Sequence, residues 1–329
     1  MITNNKQPLV SVLTPTWNRA EYLEKVWRGL VAQEYRNFEW VVGNDGSNDN
    51  TVEVLRALAK KSDFPIKLID SNIRAGKPRM DNLLMSNSSG ELLIQNDSDD
   101  VLLPEALKLM VEEWESIPED NRSNYLGIRA LSISTDDKIQ SKGFENQLVK
   151  LDTTFEELES KMRDDSTHLI PAKSVTNRRF LEVDFIIPES SLWSLVFKNK
   201  RVIYLPVVVK VMDRKAPGSV SFGKKLEYTR GMAYSISIAE DELSFVRRNF
   251  LMKCNLIVRY WRYCFHGEIE VKKAKKMWCV TRNNSWTMLF WPISFLYVIK
   301  DLVQRKVVKT HRDFEKAKAS AKIKVVILN

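Results

Sequence analysis

Apolar and polar positions along the first 115 residues alternate between two periods. Leu9–Leu13 is a short apolar run, which predicts a strand. Ala20–Glu34 then repeats Leu23, Val26, Trp27, Leu30 and Val31 at helical spacing, so these side chains share one face. Phe38–Val42, Ile66–Ile69 and Glu91–Gln95 read as further strands. Thr51–Lys61 and Arg79–Asn87 read as helices, the first with Asp49 or Asn50 able to cap it. Pro104 suits the first turn of a helix that carries Leu107, Met110, Val111 and Trp114. Strand and helix in this rhythm predict βαβ units and an α/β fold with a mostly parallel central sheet. Such sheets bind ligands beyond the carboxyl ends of their strands. The segments to examine are therefore Thr14–Arg19, Gly43–Asp49, Ser71–Arg79 and Asn96–Asp100.

The second stretch is less regular. Tyr125–Ser134 and Val202–Met212 read as strands, Ser190–Lys198 as a short helix after Pro188-Glu189, and Glu227–Ile238 as a helix. From Phe245 onward the chain reads as helical, aromatic and basic. There is no internal repeat and no flexible linker. The expected organisation is residues 1–240 as one domain, with halves 1–115 and 116–240, followed by a helical C-terminal region, 241–329.

Composition changes this picture in one respect. With 44% hydrophobic residues among 329, the chain has the apolar content for a core, which excludes a disordered tail protein. The net charge of +9 alone would invite nucleic acid or an anionic membrane. However, residues 241–329 hold 19 Lys and Arg against 7 Asp and Glu, a net of +12. The preceding 240 hold 32 against 35, a net of −3. An acidic front and a basic back need separate explanations. Cys254, Cys264 and Cys279 are odd in number and match no metal-knuckle spacing, so a reducing compartment is the simpler reading. Met1–Pro8 is polar, without the apolar stretch of a secretory signal. The longest apolar run, Trp286–Ile299, is broken by Pro292 and is shorter than the roughly 18–20 residues a bilayer span needs.

The four strand-end segments carry the candidate chemistry. Asp97, Asp99 and Asp100 lie within four residues, where mutual repulsion calls for a cation. Hard oxygen donors in a short turn suit Mg²⁺ or Mn²⁺ completed by a diphosphate, and a solvated acidic loop is the alternative. Gly43–Asp49 offers tight backbone and Asp45 as an acceptor for a base or ribose, or an ordinary turn. Thr16, Asn18 and Arg19 can hydrogen-bond a base, or Asn18 can simply cap the helix. Arg74, Lys77 and Arg79 surround Gly76, a natural partner for a diphosphate. No GxGxxG or GxxxxGK[ST] motif is present, which argues against a dinucleotide dehydrogenase or a P-loop NTPase.

The spaced set is distinctive. Leu9–Arg19, the Gln33-Glu-Tyr35 turn, Asn44-Asp-Gly-Ser47 and Asp97-Ser-Asp-Asp100 together resemble the family 2 glycosyltransferases of bacterial surface-polysaccharide synthesis. The likeness is close over residues 8–115 and looser to about 240. It implies a GT-A fold and an inverting transfer from a nucleotide-diphosphate sugar, most commonly a UDP-sugar, with Mn²⁺ or Mg²⁺. By resemblance, Pro15, Thr16 and Asn18 match the first nucleotide-contacting loop, and Asp45 the carboxylate on the base. Asp97 and Asp99 match the DxD motif at ribose and metal, with Asp100 extending it. Gly76, Lys77 and Arg79 fall near the diphosphate. The family usually has an aspartate where this chain has Asn44.

Inverting transfer needs a carboxylate base for the acceptor hydroxyl. Glu189, before a helix in the acceptor half, resembles the family's acidic position; Glu182 and Asp184 are alternatives, and helix capping is the competing role. His168, His266 and His311 stand alone and read as core or surface residues. In the tail, cations beside Tyr260, Trp261, Trp278, Trp286, Trp291 and Phe295 suit a helix at an anionic membrane interface, against a soluble helical subdomain. The expected partners are a nucleotide-diphosphate sugar, a glycan or lipid-linked acceptor and the inner face of a cell membrane, but no nucleic acid. The alternative is a non-catalytic nucleotide-sugar- or lipid-binding protein on the same fold. Retention of both the DxD motif and a base candidate favours transfer.

Overall fold

The computed structural model describes residues 7–135, 141–142, 149–161, 163–164, 166–182, 187, 189–213, 229–239, 250–278, 285–304 and 320–329. Its first half follows the predicted rhythm. Strands β1 (Val10–Thr16), β2 (Phe38–Asp45), β3 (Ile66–Ser71) and β4 (Leu92–Gln95) alternate with helices α1 (Ala20–Val31), α2 (Thr51–Ala59), α3 (Lys77–Asn87) and α4 (Ala106–Glu115). The short β5 (Val101–Leu102) lies between β4 and α4. Next come β6 (Tyr125–Ser134), β7 (Ser141–Lys142), β8 (Leu151–Thr154), α5 (Phe155–Lys161), β9 (Arg163–Asp164) and β10 (Thr167–Pro171). They are followed by α6 (Ser190–Phe197), β11 (Arg201–Met212), α7 (Thr229–Ala239), α8 (Phe250–His266), α9 (Val271–Met277), α10 (Trp291–Val303) and β12 (Ile323–Ile327).

The main sheet runs β12-β3-β2-β1-β4-β10-β6-β11-β5, with β8 also on β11. Its central strands β3-β2-β1-β4 are parallel. β10 is antiparallel between β4 and β6, and β6 pairs in parallel with β11. Parallel strands need both faces covered, and the burial follows: every residue of β1 and β2 is buried. The predicted α1 face packs down through Leu23, Val26 and Leu30, whereas Val31 is exposed. Leu55 and Leu58 of α2 and Leu107, Met110, Val111 and Trp114 of α4 complete the same core. The Gln33–Tyr35 turn has a physical reason to be there. The Gln33 amide donates to the Gly29 and Leu103 carbonyls, and its oxygen accepts from Leu107 N, joining the end of α1 to the start of α4.

The strands reach further than the apolar runs suggested. Pro15 and Thr16 belong to β1, paired with Gly43 and Asn44, and Asp45 is the last residue of β2. Lys77 and Arg79 lie in the first turn of α3, which begins two residues earlier than predicted. β10 was not anticipated. The end of the C-terminal region also departs from the helical expectation, because Ile323–Ile327 adds to β3 as an antiparallel strand. Its β-branched run fits a pleated edge, and Asn329 anchors it by accepting from Ile66 N and donating to the Phe64 carbonyl.

The chain divides into two compact units. One comprises Met1–Arg179, Val196–Ser219 and Ala317–Asn329, and the other Phe180–Leu195 and Val220–Lys316. Both cross the position 240 boundary. The second unit has its own core of Ala233, Ile257, Tyr260, Trp261, Cys264, Ala274 and Trp278. Part of the tail's aromatic content thus packs inward, and burial pushes the Cys264 thiol up to about 12, far from reactive. Cys279 and His311 lie outside the described residues.

Gly127 marks where β6 must pass close to β10. Its φ is +143°, and a Cβ there would meet the Leu169 carbonyl oxygen at 2.0 Å. Gly127→Ala is expected to lower stability by about 3 kcal/mol in urea unfolding. An unchanged midpoint would contradict this register.

Candidate functional site

The parallel order β3-β2-β1-β4 brings four strand ends side by side. The segments that follow them are tied together by their own side chains. Asn18, at φ +52°, donates its N–H to Ser47 Oγ at 2.9 Å, and its side-chain oxygen accepts from Asn48 N at 2.8 Å. It therefore links the first loop to the second rather than capping α1. That end is served by Asp49, which accepts from Ala20 N at 3.1 Å and from Thr51 N and Oγ1. Burial works to raise the Asp49 pKa, but these donors outweigh it and hold the carboxyl below its usual range.

Asp45 joins the second loop to the third. Its two oxygens accept from Ala75 N at 2.7 Å and Gly76 N at 2.9 Å. Burial raises its pKa more than these bonds and the charges of Arg74 and Arg79 lower it. Asn44 donates to Asp70 at 2.8 Å and accepts from Ser47 N. Gly46, at φ +69°, lies against Ile73–Arg74, where a Cβ would be 2.3 Å from the Ile73 carbonyl carbon. The Arg74 guanidinium stacks 3.4 Å over the Trp17 ring, closing the first loop on the third.

The fourth strand end supplies the charge. Lys77 Nζ is 3.5 Å from Asp97 Oδ1 and 3.1 Å from Asp81. Arg19 is 3.7 Å from Asp99, and Lys210 of β11 is 3.1 Å from Asp100. The three carboxyls respond differently. Burial would raise Asp97, but Lys77 and Lys210 hold it below the usual range. Asp99 is pushed up to about 6 by burial and by the charges of Asp100 and Asp97. Asp100 is raised by burial against the pull of Lys210. Thr16 Oγ1 and Asn96 Oδ1 are buried without a hydrogen-bond partner, at the neighbouring ends of β1 and β4. Such atoms need an explanation, and a ligand supplies one.

The structure thus brings together Pro15, Thr16, Asn18, Asp45, Gly76, Lys77, Asp97 and Asp99 on one edge of one unit. Arg79 joins them through its charge on Asp45. Lys210 escaped the sequence reading; its only signal is a lone cation inside the run Val207–Met212. Among the described residues no three His, Cys, Asp or Glu side chains form a metal cluster. The donor set still fits a hard divalent cation held by few protein ligands. Thr16 and Asn96 keep buried oxygens without a hydrogen-bond partner beside Asp97, and burial and its neighbours' charge disfavour ionisation of Asp99.

Glu189 belongs to the other unit and is exposed at the turn entering α6, its carbonyl accepting from Leu192 N and Trp193 N. Glu182 is half-buried in that same unit, and Asp184 lies outside the described residues. His168 is half-buried on β10 of the sheet unit, against Phe197, its pKa driven well down by burial and by Arg129 and Lys210.

The mostly parallel central sheet with flanking helices, its strand ends gathering carboxylates and cations, is a GT-A arrangement. The chain belongs to glycosyl transferase family 2, whose family model matches residues 11–182. It is 26% identical over 244 residues to the GalNAc(5)-diNAcBac-PP-undecaprenol β-1,3-glucosyltransferase of Campylobacter jejuni, spanning 74% of this chain and 75% of that protein. Among solved structures it resembles Staphylococcus aureus TarS in complex with UDP-GlcNAc. The TM-score is 0.56 at 14% identity, over 94% of this chain and 87% of that one. It also resembles the mannosyltransferase PcManGT of Pyrobaculum calidifontis in complex with GDP-Man and Mn²⁺. There the TM-score is 0.51 at 17% identity, over 96% and 80%. The chain is a glycosyltransferase, and the two solved structures share its fold.

The Asp99 shift has a testable sign. Its carboxyl ionises near 6 in the folded protein against an ordinary 3.8. The protonated form favours folding, so its contribution is present below about pH 4 and lost as pH rises through 6. In EDTA at about pH 7.5, Asp99→Asn is expected to raise stability by about 1–3 kcal/mol, the difference vanishing below about pH 4. Thermal unfolding at both pH values checks this, and a variant less stable at both contradicts it.

Proposed function

We propose that the chain is a metal-dependent inverting glycosyltransferase. It takes its sugar from a nucleotide-diphosphate donor, a UDP-sugar, and transfers it to a glycan or lipid-linked glycan acceptor at the cytoplasmic face of a cell membrane. The observation that carries the reading is the Asp97–Asp99–Asp100 cluster, met by Lys77, Arg19 and Lys210 from three other parts of the sheet unit. The UDP-GlcNAc complex of TarS and the GDP-Man and Mn²⁺ complex of PcManGT support the donor and the metal. The undecaprenol-linked substrate named for the Campylobacter jejuni relative supports the acceptor class.

In this reading residues 1–115 are the nucleotide-sugar half. Pro15, Thr16, Asn18 and Asp45 frame the nucleotide, and Gly76, Lys77 and Arg79 meet the diphosphate. Asp97 and Asp99 hold Mn²⁺ or Mg²⁺, and Asp97 also faces the ribose. When bound, the cation supplies positive charge to the leaving diphosphate. Lys77 and Arg79 add to that charge as the bond from the anomeric carbon to the diphosphate breaks. Glu189 accepts the proton of the acceptor hydroxyl as its oxygen bonds to the anomeric carbon, which inverts the configuration.

Asp99→Ala is expected to reduce Mn²⁺-dependent hydrolysis or transfer across a panel of UDP-sugars by about 100-fold or more. Glu189→Gln should spare donor binding and lower transfer by about 100-fold or more. Full activity in the first variant removes the metal assignment. Full transfer in the second places the base elsewhere.

A further inference from the structure

Helix α10 is built inside out. Its buried side chains, Ser294, Val298 and Asp301, fall at positions that share one face, and two of the three are polar. Asp301 is 2% exposed. Arg262 Nε and Nη2 donate to its two oxygens, each at 2.6 Å, and His266 Nε2 lies 2.9 Å away. Ser294 donates to the Phe290 carbonyl at 2.8 Å. These bonds satisfy the polar groups that face α8. The outward side carries Ile293, Phe295, Leu296, Ile299, Leu302 and Val303, with Leu296 65% and Val303 77% exposed. At about 100° per residue they span about half of the helix circumference. Lys300 is the single cation within Trp291–Val303. A contiguous apolar face of this kind marks an interaction surface.

What covers it is indicated by length and charge. No helix among the described residues is long and apolar enough to cross a membrane. The same unit exposes Arg259, Lys272, Lys273, Lys276 and Lys300, in a region of net charge +12. Like charge opposes pairing with a second copy of this surface and attracts anionic lipid. Arg262 also lies over the Tyr297 ring, 5.5 Å from its centroid, a pairing suited to the polar edge of a bilayer.

We propose that α10 lies in the plane of an anionic membrane, with Leu296, Ile299 and Val303 seated deepest among the acyl chains. The Arg262–Asp301 ion pair and the His266–Asp301 hydrogen bond hold the helix on its unit in that orientation. This rests on the membrane placement proposed above and is independent of the donor chemistry.

The test uses the full chain, sedimented at low salt with vesicles of phosphatidylcholine, with or without phosphatidylglycerol. UDP affinity with Mn²⁺ is measured on the same samples. The unmodified protein is expected to bind the anionic vesicles. Combining Leu296→Glu with Ile299→Glu should weaken that binding about tenfold or more, leaving the thermal midpoint and UDP affinity unchanged. The proposal is overturned if the unmodified chain binds neither vesicle or the double variant binds both as before. It is equally overturned if light scattering finds a dimer that the double variant abolishes, which would assign the face to a second copy. Vesicle binding without UDP binding would strike the catalytic reading and leave this one standing.

Discussion

Three carboxylates within four residues, partly buried at the end of a parallel strand, cannot all carry charge unless cations stand beside them. The sheet unit is arranged around that electrostatic demand. Arg19 comes from beyond β1, Lys77 from the helix after β3, and Lys210 from β11, each meeting a different aspartate. Only the sheet order, with β1 between β2 and β4, lets groups so far apart in sequence share one edge. The compensation is incomplete. Thr16 and Asn96 beside the cluster keep buried oxygens without a hydrogen bond, and Asp99 ionises only near 6. In the proposed function, an added cation and the anion that travels with it complete this balance.

The loops around this cluster are fixed by bonds among themselves. Asp45 fastens Ala75 and Gly76, Asn18 clasps Ser47 and Asn48, and Asp49 serves the starts of both α1 and α2. Each of these polar residues invites a ligand role by type, yet in the structure each also positions backbone. The two are compatible, since a carboxylate oxygen accepts more than one hydrogen bond. Asp45 can hold the third loop in place while presenting remaining acceptor capacity to a base.

Much of the fold was legible because α/β folds announce themselves by period. The helical spacing of α1, α2 and α4 and the short apolar runs of β1 to β4 are local signals, and the structure places those elements where the pattern did. Strand ends were less legible. Pro15, Thr16, Asn44 and Asp45 are polar or helix-breaking in appearance, but neighbouring strands pair with them and extend the ladder. β12 escaped because its partner, β3, lies some 250 residues earlier, and pairing at that distance leaves no local mark. Lys210 escaped for the same reason, its meaning residing wholly in Asp100. The candidate site itself was readable as a set, because four motifs at four successive strand ends constrain one another more than any one does alone.

In the proposed function the carboxylate cluster answers to a divalent cation accompanying a diphosphate. Calorimetric titration of the unmodified chain with UDP, in Mn²⁺ and then in EDTA, measures it most directly. Binding is expected to weaken about tenfold or more when the metal is removed. Equal affinity in both conditions would contradict it.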